Sequence, residues 1–414
     1  MHSQSSTSRG LFTSLVAGVA ALATSTHAQP FSPNEVAKLL AGDGAAGDTF
    51  GYSVSVSGDI AVIGARLDDG GQPNSGSAYV FRFDGTSWTQ EAKLLASDRM
   101  MGDLFGHSAW VFGNVAVIGA PQDDDNGESS GSAYVFRFDG ANWAEEAKLV
   151  PSDGTEAALF GWSISVSDDR AVIGALEDGA GTGAAYVYQF DGTSWAQEAK
   201  LLADDGTPGD WFGRSVSISD TIAMIGARWY SNNGPESGSA YAFRFDGENW
   251  AQEAKLLPAD GATDARFGTS VSVLGNTAVI GAPRHNDNGD NSGSAYIYQF
   301  DGANWTQEAK LLASDGATGD WFGRSVSMSG SSIVVGAQRR NDNGATSGSA
   351  YIFDLNFTPR CLADVNGDGM VTPSDFTAWI NAFNNQLPEC DQNDDGSCTP
   401  ADFTAWIANF NAGC

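Results

Sequence analysis

One pair of phrases occurs six times in this chain: a Phe-Gly that opens an alternation of serine with apolar residues, then an apolar run that ends in Gly-Ala. The copies begin at Phe50, Phe105, Phe160, Phe212, Phe267 and Phe322, which lie 55, 55, 52, 55 and 55 residues apart. A period of this size constrains the fold more than any other feature. Each unit is one supersecondary element that cannot bury its own faces, so copies must stack on one another to make a core.

Within the first unit the sequence falls into four β-like runs, Gly51 to Ser57, Ile60 to Ala65, Ser77 to Phe83 and Trp88 to Leu95. The first alternates with period two, as a half-buried strand does, and the second is apolar throughout, as a strand covered on both faces is. Ser57-Gly58-Asp59 makes a short turn between them. Asp84-Gly85 makes another between the third and fourth runs and is repeated at Asp139, Asp191, Asp246 and Asp301. Asp-Gly tolerates the positive φ that a tight hairpin needs. Four antiparallel strands in six units describe a mainly β chain, a six-bladed β-propeller of four-stranded antiparallel blades. Trp88, Trp143, Trp195, Trp250 and Trp305 open the fourth strand and are expected to pack blade against blade.

The sixth unit ends after Tyr351 to Leu355 without a fourth strand, while an unpaired copy of that strand, Glu35 to Leu40, stands before the first unit. Pairing the two is expected to complete the sixth blade and remove exposed strand edges. Successive turns of a meander alternate ends, so the tight turns share one face and the longer loops the other. Those longer loops include the acidic stretches Asp123 to Gly127 and Asn286 to Asp290, each a solvated turn or a cation holder. Near the same ends two positions vary from unit to unit. After Phe-Gly stand Tyr52, His107, Trp162, Arg214, Thr269 and Arg324; after Gly-Ala stand Arg66, Pro121, Leu176, Arg228, Pro283 and Gln338. Changing chemistry on a repeated scaffold suits a recognition surface.

The Phe-Gly phrase, with Gly-Ala-Pro literal at Gly119 to Pro121 and Gly281 to Pro283, resembles the FG-GAP repeat family, known from integrin α-chain propellers and bacterial surface proteins. The resemblance covers residues 31–357 and implies the propeller fold. Integrin propellers have seven blades and hold calcium in an acidic loop between the Phe-Gly and Gly-Ala-Pro strands. Here the count is six and that connection is only Ser-Gly-Asp, so those calcium sites are not carried over.

Past Pro359 the pattern changes. Asp364, Asn366, Asp368, Met370, Thr372 and Asp375 fall at positions 1, 3, 5, 7, 9 and 12 of a loop with Gly369 at position 6, the spacing in which side-chain oxygens and one backbone carbonyl wrap calcium. Asp391, Asn393, Asp395, Ser397, Thr399 and Asp402 repeat it around Gly396. Each loop precedes one helical stretch, Phe376 to Ile380 and Phe403 to Ile407. Residues 361–414 thereby resemble a type I dockerin, which implies about two calcium ions and a cohesin-like or surface-attachment partner. All four cysteines, Cys361, Cys390, Cys398 and Cys414, lie in this module, an even set expected to form two disulfides. Spacing leaves three connectivities open; dockerin-like packing implies Cys361 with Cys414 and Cys390 with Cys398.

Residues 1–28 have the form of a secretory signal, with Arg9, an apolar run of about 13 residues from Leu11 to Ala23, and a small-residue cleavage site at Thr26 to Ala28. A mature protein exported to the medium or the cell surface is expected, as a monomer without membrane insertion. The formal charge of -30 opposes phosphate backbones, which disfavours nucleic acid as a partner. Among the motifs, no nucleophile elbow, His-Glu-x-x-His helix or phosphate loop is present. The expected function is non-enzymatic binding of an extracellular protein or glycan. The alternative is a polysaccharide-degrading enzyme or an accessory lectin of such a system.

Overall fold

The computed structural model describes residues 37–231, 234–342 and 344–355, and beyond these 365, 373–385, 390, 398–400, 403–404 and 406–407. The protein is mainly β and forms a six-bladed propeller of antiparallel meanders. Blade 1 comprises Ser53–Ser57, Ile60–Ala65, Ser77–Phe83 and Trp88–Leu94, paired in that order. Blades 2 to 5 repeat this arrangement with the same register between their second and third strands. In blades 2 to 5 the second strand is buried on both faces, as its unbroken apolar sequence suits.

The two halves of the repeated phrase meet across blades. Phe105 of blade 2 is fully buried, with its ring edge-on to Tyr134 at 5.4 Å, and its backbone N–H donates to Ser75 O of blade 1 at 2.9 Å. The glycine of Gly-Ala is where that neighbour comes closest: a Cβ on Gly64 would lie 2.0 Å from Gly106 O. Ser53 Oγ donates to the same carbonyl at 2.9 Å. This junction recurs at Gly119, Gly174, Gly226 and Gly281, so glycine is fixed there by backbone approach. The tryptophans add an outer tie, Trp143, Trp250 and Trp305 donating from Nε1 to Glu91, Glu198 and Glu253 of the preceding blade at 2.8–2.9 Å.

The junction between blade 6 and blade 1 differs. Gly336 of blade 6 has only its own blade's Ser325 beside it, and Phe50 is half-buried where its five counterparts are buried. Val54 and Val56 of blade 1 are 68% and 66% exposed, whereas their counterparts Ala109 and Val111 are 7% and 2% exposed. On blade 6, Val334 and Ile352 are likewise exposed. The first and last blades thus turn bare apolar faces outward along a seam.

The sixth sheet contains Phe322–Ser329, Ser332–Ala337 and Ser349–Asp354, three strands among the described residues. Ala37 to Leu40, expected to supply its fourth, belong to no strand, and Glu35 and Val36 lie outside the described residues. A β-strand is defined by its partner, and these four residues carry no ladder bond of their own. From Gly42 onward the first unit is tied as later ones are, Gly42 N–H donating to Gln90 as Ser152 N–H does to Gln197.

In the C-terminal region Pro373–Asn385 is a helix. Trp379 is buried on it and donates from Nε1 to Cys390 O at 3.1 Å, with Phe376, Phe403 and Trp406 packed nearby. Cys390 and Cys398 are joined by a disulfide. Among the described residues no helix is long and apolar enough to cross a membrane.

Candidate ligand-binding site

The positions after Phe-Gly sit at the start of each blade's first strand, and the propeller gathers them at one end. Gly51, Tyr52, His107, Trp162, Arg214, Arg324, Ser325 and Gln338 line a cavity of about 490 Å³. Five of the six variable Phe-Gly positions are in it. Thr269 is not: it is buried and its hydroxyl donates to Arg266 O at 2.7 Å. Of the positions after Gly-Ala, Gln338 lines the cavity directly and Arg66 supports it from behind.

An aromatic row runs through the site. His107 lies between Tyr52 and Trp162, with ring centroids 5.1 and 4.3 Å away. Guanidinium groups flank the row: Arg66 is 3.8 Å above the Tyr52 ring and Arg214 is 5.4 Å from that of Trp162. Arg66 Nη1 lies 3.4 Å from His107 Nδ1, so a neutral His107 accepts there. Burial, then the charges of Arg66 and Arg214, push the His107 pKa down to about 3. Burial, then Arg324 and Arg228, lower that of Arg214 to about 9, still charged at neutral pH.

A second cationic and aromatic cluster adjoins the first; of its members the sequence analysis singled out only Arg228. Trp211 and Trp229 stack at 4.0 Å with Arg228 over both rings, and Trp321 lies between Arg284 and Arg339. Trp211, Arg266 and Trp321 each immediately precede a Phe-Gly and take φ of 57°, 57° and 60°. A non-glycine residue there costs about 1 kcal/mol. The turn enforces it, since the N–H three residues on bonds back to that residue's carbonyl, as Arg214 does to Trp211 at 3.1 Å. The signal in sequence was a Trp or Arg at a position that is Thr or Leu in the other units.

The acidic loops are a separate feature. Asp98, Asp123 and Asp125 come together, but Lys148 Nζ lies 2.6, 3.2 and 2.5 Å from them. Lys310 stands likewise between Asp260 and Asp287, both at 2.5 Å, beside His285. A lysine of the fourth strand therefore supplies the cation that these loops attract. Although burial opposes it, the three carboxylates raise the Lys148 pKa. Tyr134 adds its hydroxyl, 2.8 Å from both Asp98 and Asp123.

Of the calcium-loop residues, Asp375 and Thr399 are described. Asp375 is fully buried in the first turn of its helix, the place of a position-12 ligand that closes a twelve-residue loop, and so suits calcium. Asp364, Asn366, Asp368, Met370, Thr372, Asp391, Asn393, Asp395, Ser397 and Asp402 lie outside the described residues, as do Cys361 and Cys414.

Residues 33–81, 88–136, 143–188, 195–243, 250–298 and 305–353 each match the FG-GAP repeat family. Residues 362–411 match the dockerin type I domain, a calcium-binding, cohesin-binding attachment module. No curated protein matches the chain.

Proposed function

From a chain that belongs to the FG-GAP repeat family and carries a dockerin type I domain, we propose an exported, non-enzymatic binding protein that displays one ligand site at the end of its propeller. The observation that carries this is the convergence of Tyr52, His107, Trp162, Arg214 and Arg324 on one cavity from five blades of an otherwise repetitive scaffold. None of the eight residues lining it is an acid, which leaves it without the carboxylate pair that glycoside hydrolysis uses. The tail attaches the propeller to a cohesin-like or surface partner, and residues 1–28 direct export.

Screening the intact protein on a glycan array, with a parallel assay for released sugar, tests this reading. Specific binding without turnover is expected, and turnover of any polysaccharide would overturn it. The tail is expected to hold two calcium ions through the two loops. Isothermal titration should show both, with Asp364→Ala and Asp391→Ala together abolishing them. A wild-type protein that takes up no calcium at millimolar concentration would refute the ligand assignment.

A further inference from the structure

The chain has 51 acidic and 21 basic side chains, yet it sets arginines in and beside one cavity, Arg214 and Arg324 in its lining, Arg66 against Tyr52, and Arg228 and Arg339 in the adjoining cluster. Among the described residues Arg66, Arg214, Arg228, Arg324 and Arg339 have no carboxylate within 4 Å, while Arg82, Arg137, Arg170 and Arg244 elsewhere on the blades are each paired with a glutamate. The Nε groups of Arg66, Arg214 and Arg228 are buried without a hydrogen-bond acceptor. Buried donors are normally satisfied, and buried charges are normally paired. An acidic protein has partners in excess, so a group of unpaired guanidinium ions is a cost that folding alone does not explain.

We propose that this cavity binds a single sugar unit bearing one anionic group, a carboxylate or a sulfate, as found at the end or branch of an acidic glycan. This inference rests on the reading of the propeller as a binding domain. The guanidinium groups of Arg214 and Arg324, with Arg66 behind, offer donors to the anion; a guanidinium fork can donate to two oxygens of a carboxylate or of a tetrahedral oxyanion. The rings of Tyr52 and Trp162, held on either side of the buried His107, offer a surface for the C–H side of a pyranose ring, and Ser325 and Gln338 offer partners for its hydroxyls. Size fits as well, since a cavity of about 490 Å³ holds one or two sugar rings and little more.

The rest of the molecule selects against a polyanion. Beyond the cavity and the arginine and tryptophan cluster that adjoins it, the chain carries the excess acid that gives the formal charge of -30. Negative charges within a Debye length of about 8 Å of that surface are repelled at physiological salt. A nucleic acid strand or a densely sulfated chain would gain at the cavity and its adjoining cluster and lose along the rest of its length, whereas one localised charge meets only the arginines.

The test is isothermal titration of the intact protein at low salt with glucuronate, galacturonate, glucose 6-sulfate, glucose, galactose and a dT oligonucleotide. At least one of the charged sugars should bind at least tenfold more tightly than its neutral counterpart. Which of them binds assigns the carboxylate or the sulfate. Arg214→Gln and Arg324→Gln should each weaken that binding at least tenfold, while Arg137→Gln, on a paired surface arginine, leaves it unchanged. Relieving an unpaired charge should leave the melting temperature of Arg214→Gln equal to or above that of wild type. If Arg214→Gln instead unfolds, the result with Arg324→Gln decides. Neutral sugars that bind as tightly as charged ones would overturn the inference while leaving a binding protein in place. A glycan-array ligand insensitive to both arginine variants would place binding elsewhere, and tighter binding of the oligonucleotide would also refute the inference.

Discussion

His107 is held neutral from every side: its ring is buried between two aromatic rings, and the charged neighbours are arginines. With a folded-state pKa of about 3 against an ordinary value of 6.5, the unfolded chain binds the extra proton first as pH falls. Stability from this group is therefore complete above pH 6.5 and declines toward pH 3, by at most about 1.4 kcal/mol per pH unit. His107→Gln, which keeps an acceptor for Arg66, should lose that dependence. Chemical denaturation of both proteins between pH 3 and pH 7 should show the variant gaining on wild type as pH falls, and parallel curves would refute it. The same values leave the site's protonation constant between pH 5 and pH 8. At this scale the sequence disclosed which positions vary, because a sixfold repeat makes any departure visible. It did not disclose that Arg66 meets Tyr52 and His107, or that Thr269 turns inward, since those contacts depend on how the loop ends come together in the folded propeller and not on any local period.

The strands were legible almost to the residue, because period-two alternation, unbroken apolar runs and Asp-Gly turns each act locally. The acidic loops were not. Lys148 lies 25 residues after Asp123, and only the return of the fourth strand brings its ammonium among Asp98, Asp123 and Asp125. The propeller consequently needs no metal at these loops. Adding or chelating calcium should move the melting of the C-terminal helix and leave that of the sheets within about 1 °C, which calorimetry with far-ultraviolet dichroism can resolve. Lys148→Met should remove this self-sufficiency. Two of its three carboxylates are half-exposed, so the loss should be about 1–2 kcal/mol, and millimolar calcium should restore it in the variant but add nothing to wild type. A calcium effect equal in both proteins would refute the account.

Six copies gave the architecture, but how the two ends of the series meet depends on surfaces that no local pattern encodes. The exposed seam makes that a measurable matter. Val56 and Val111 are equivalent in sequence and opposite in environment, 66% and 2% exposed. Val111→Glu should cost more than about 3 kcal/mol by placing a charge in an apolar junction, whereas Val56→Glu should stay within about 0.5 kcal/mol. Equal losses would mean that blade 1 is covered in solution.

A ring whose last junction is unlike the others behaves thermodynamically as a row with two free ends. Each inner blade is braced on both sides, while blades 1 and 6 are braced on one, so fraying should begin there and travel inward. The cavity draws Tyr52 from the first blade and Arg324 from the last, so a molecule held between them acts as a clasp. Hydrogen exchange should then slow most in Ser53–Ser57 and Phe322–Ser329 when the site is filled, and hardly at all in blade 3, far from the break.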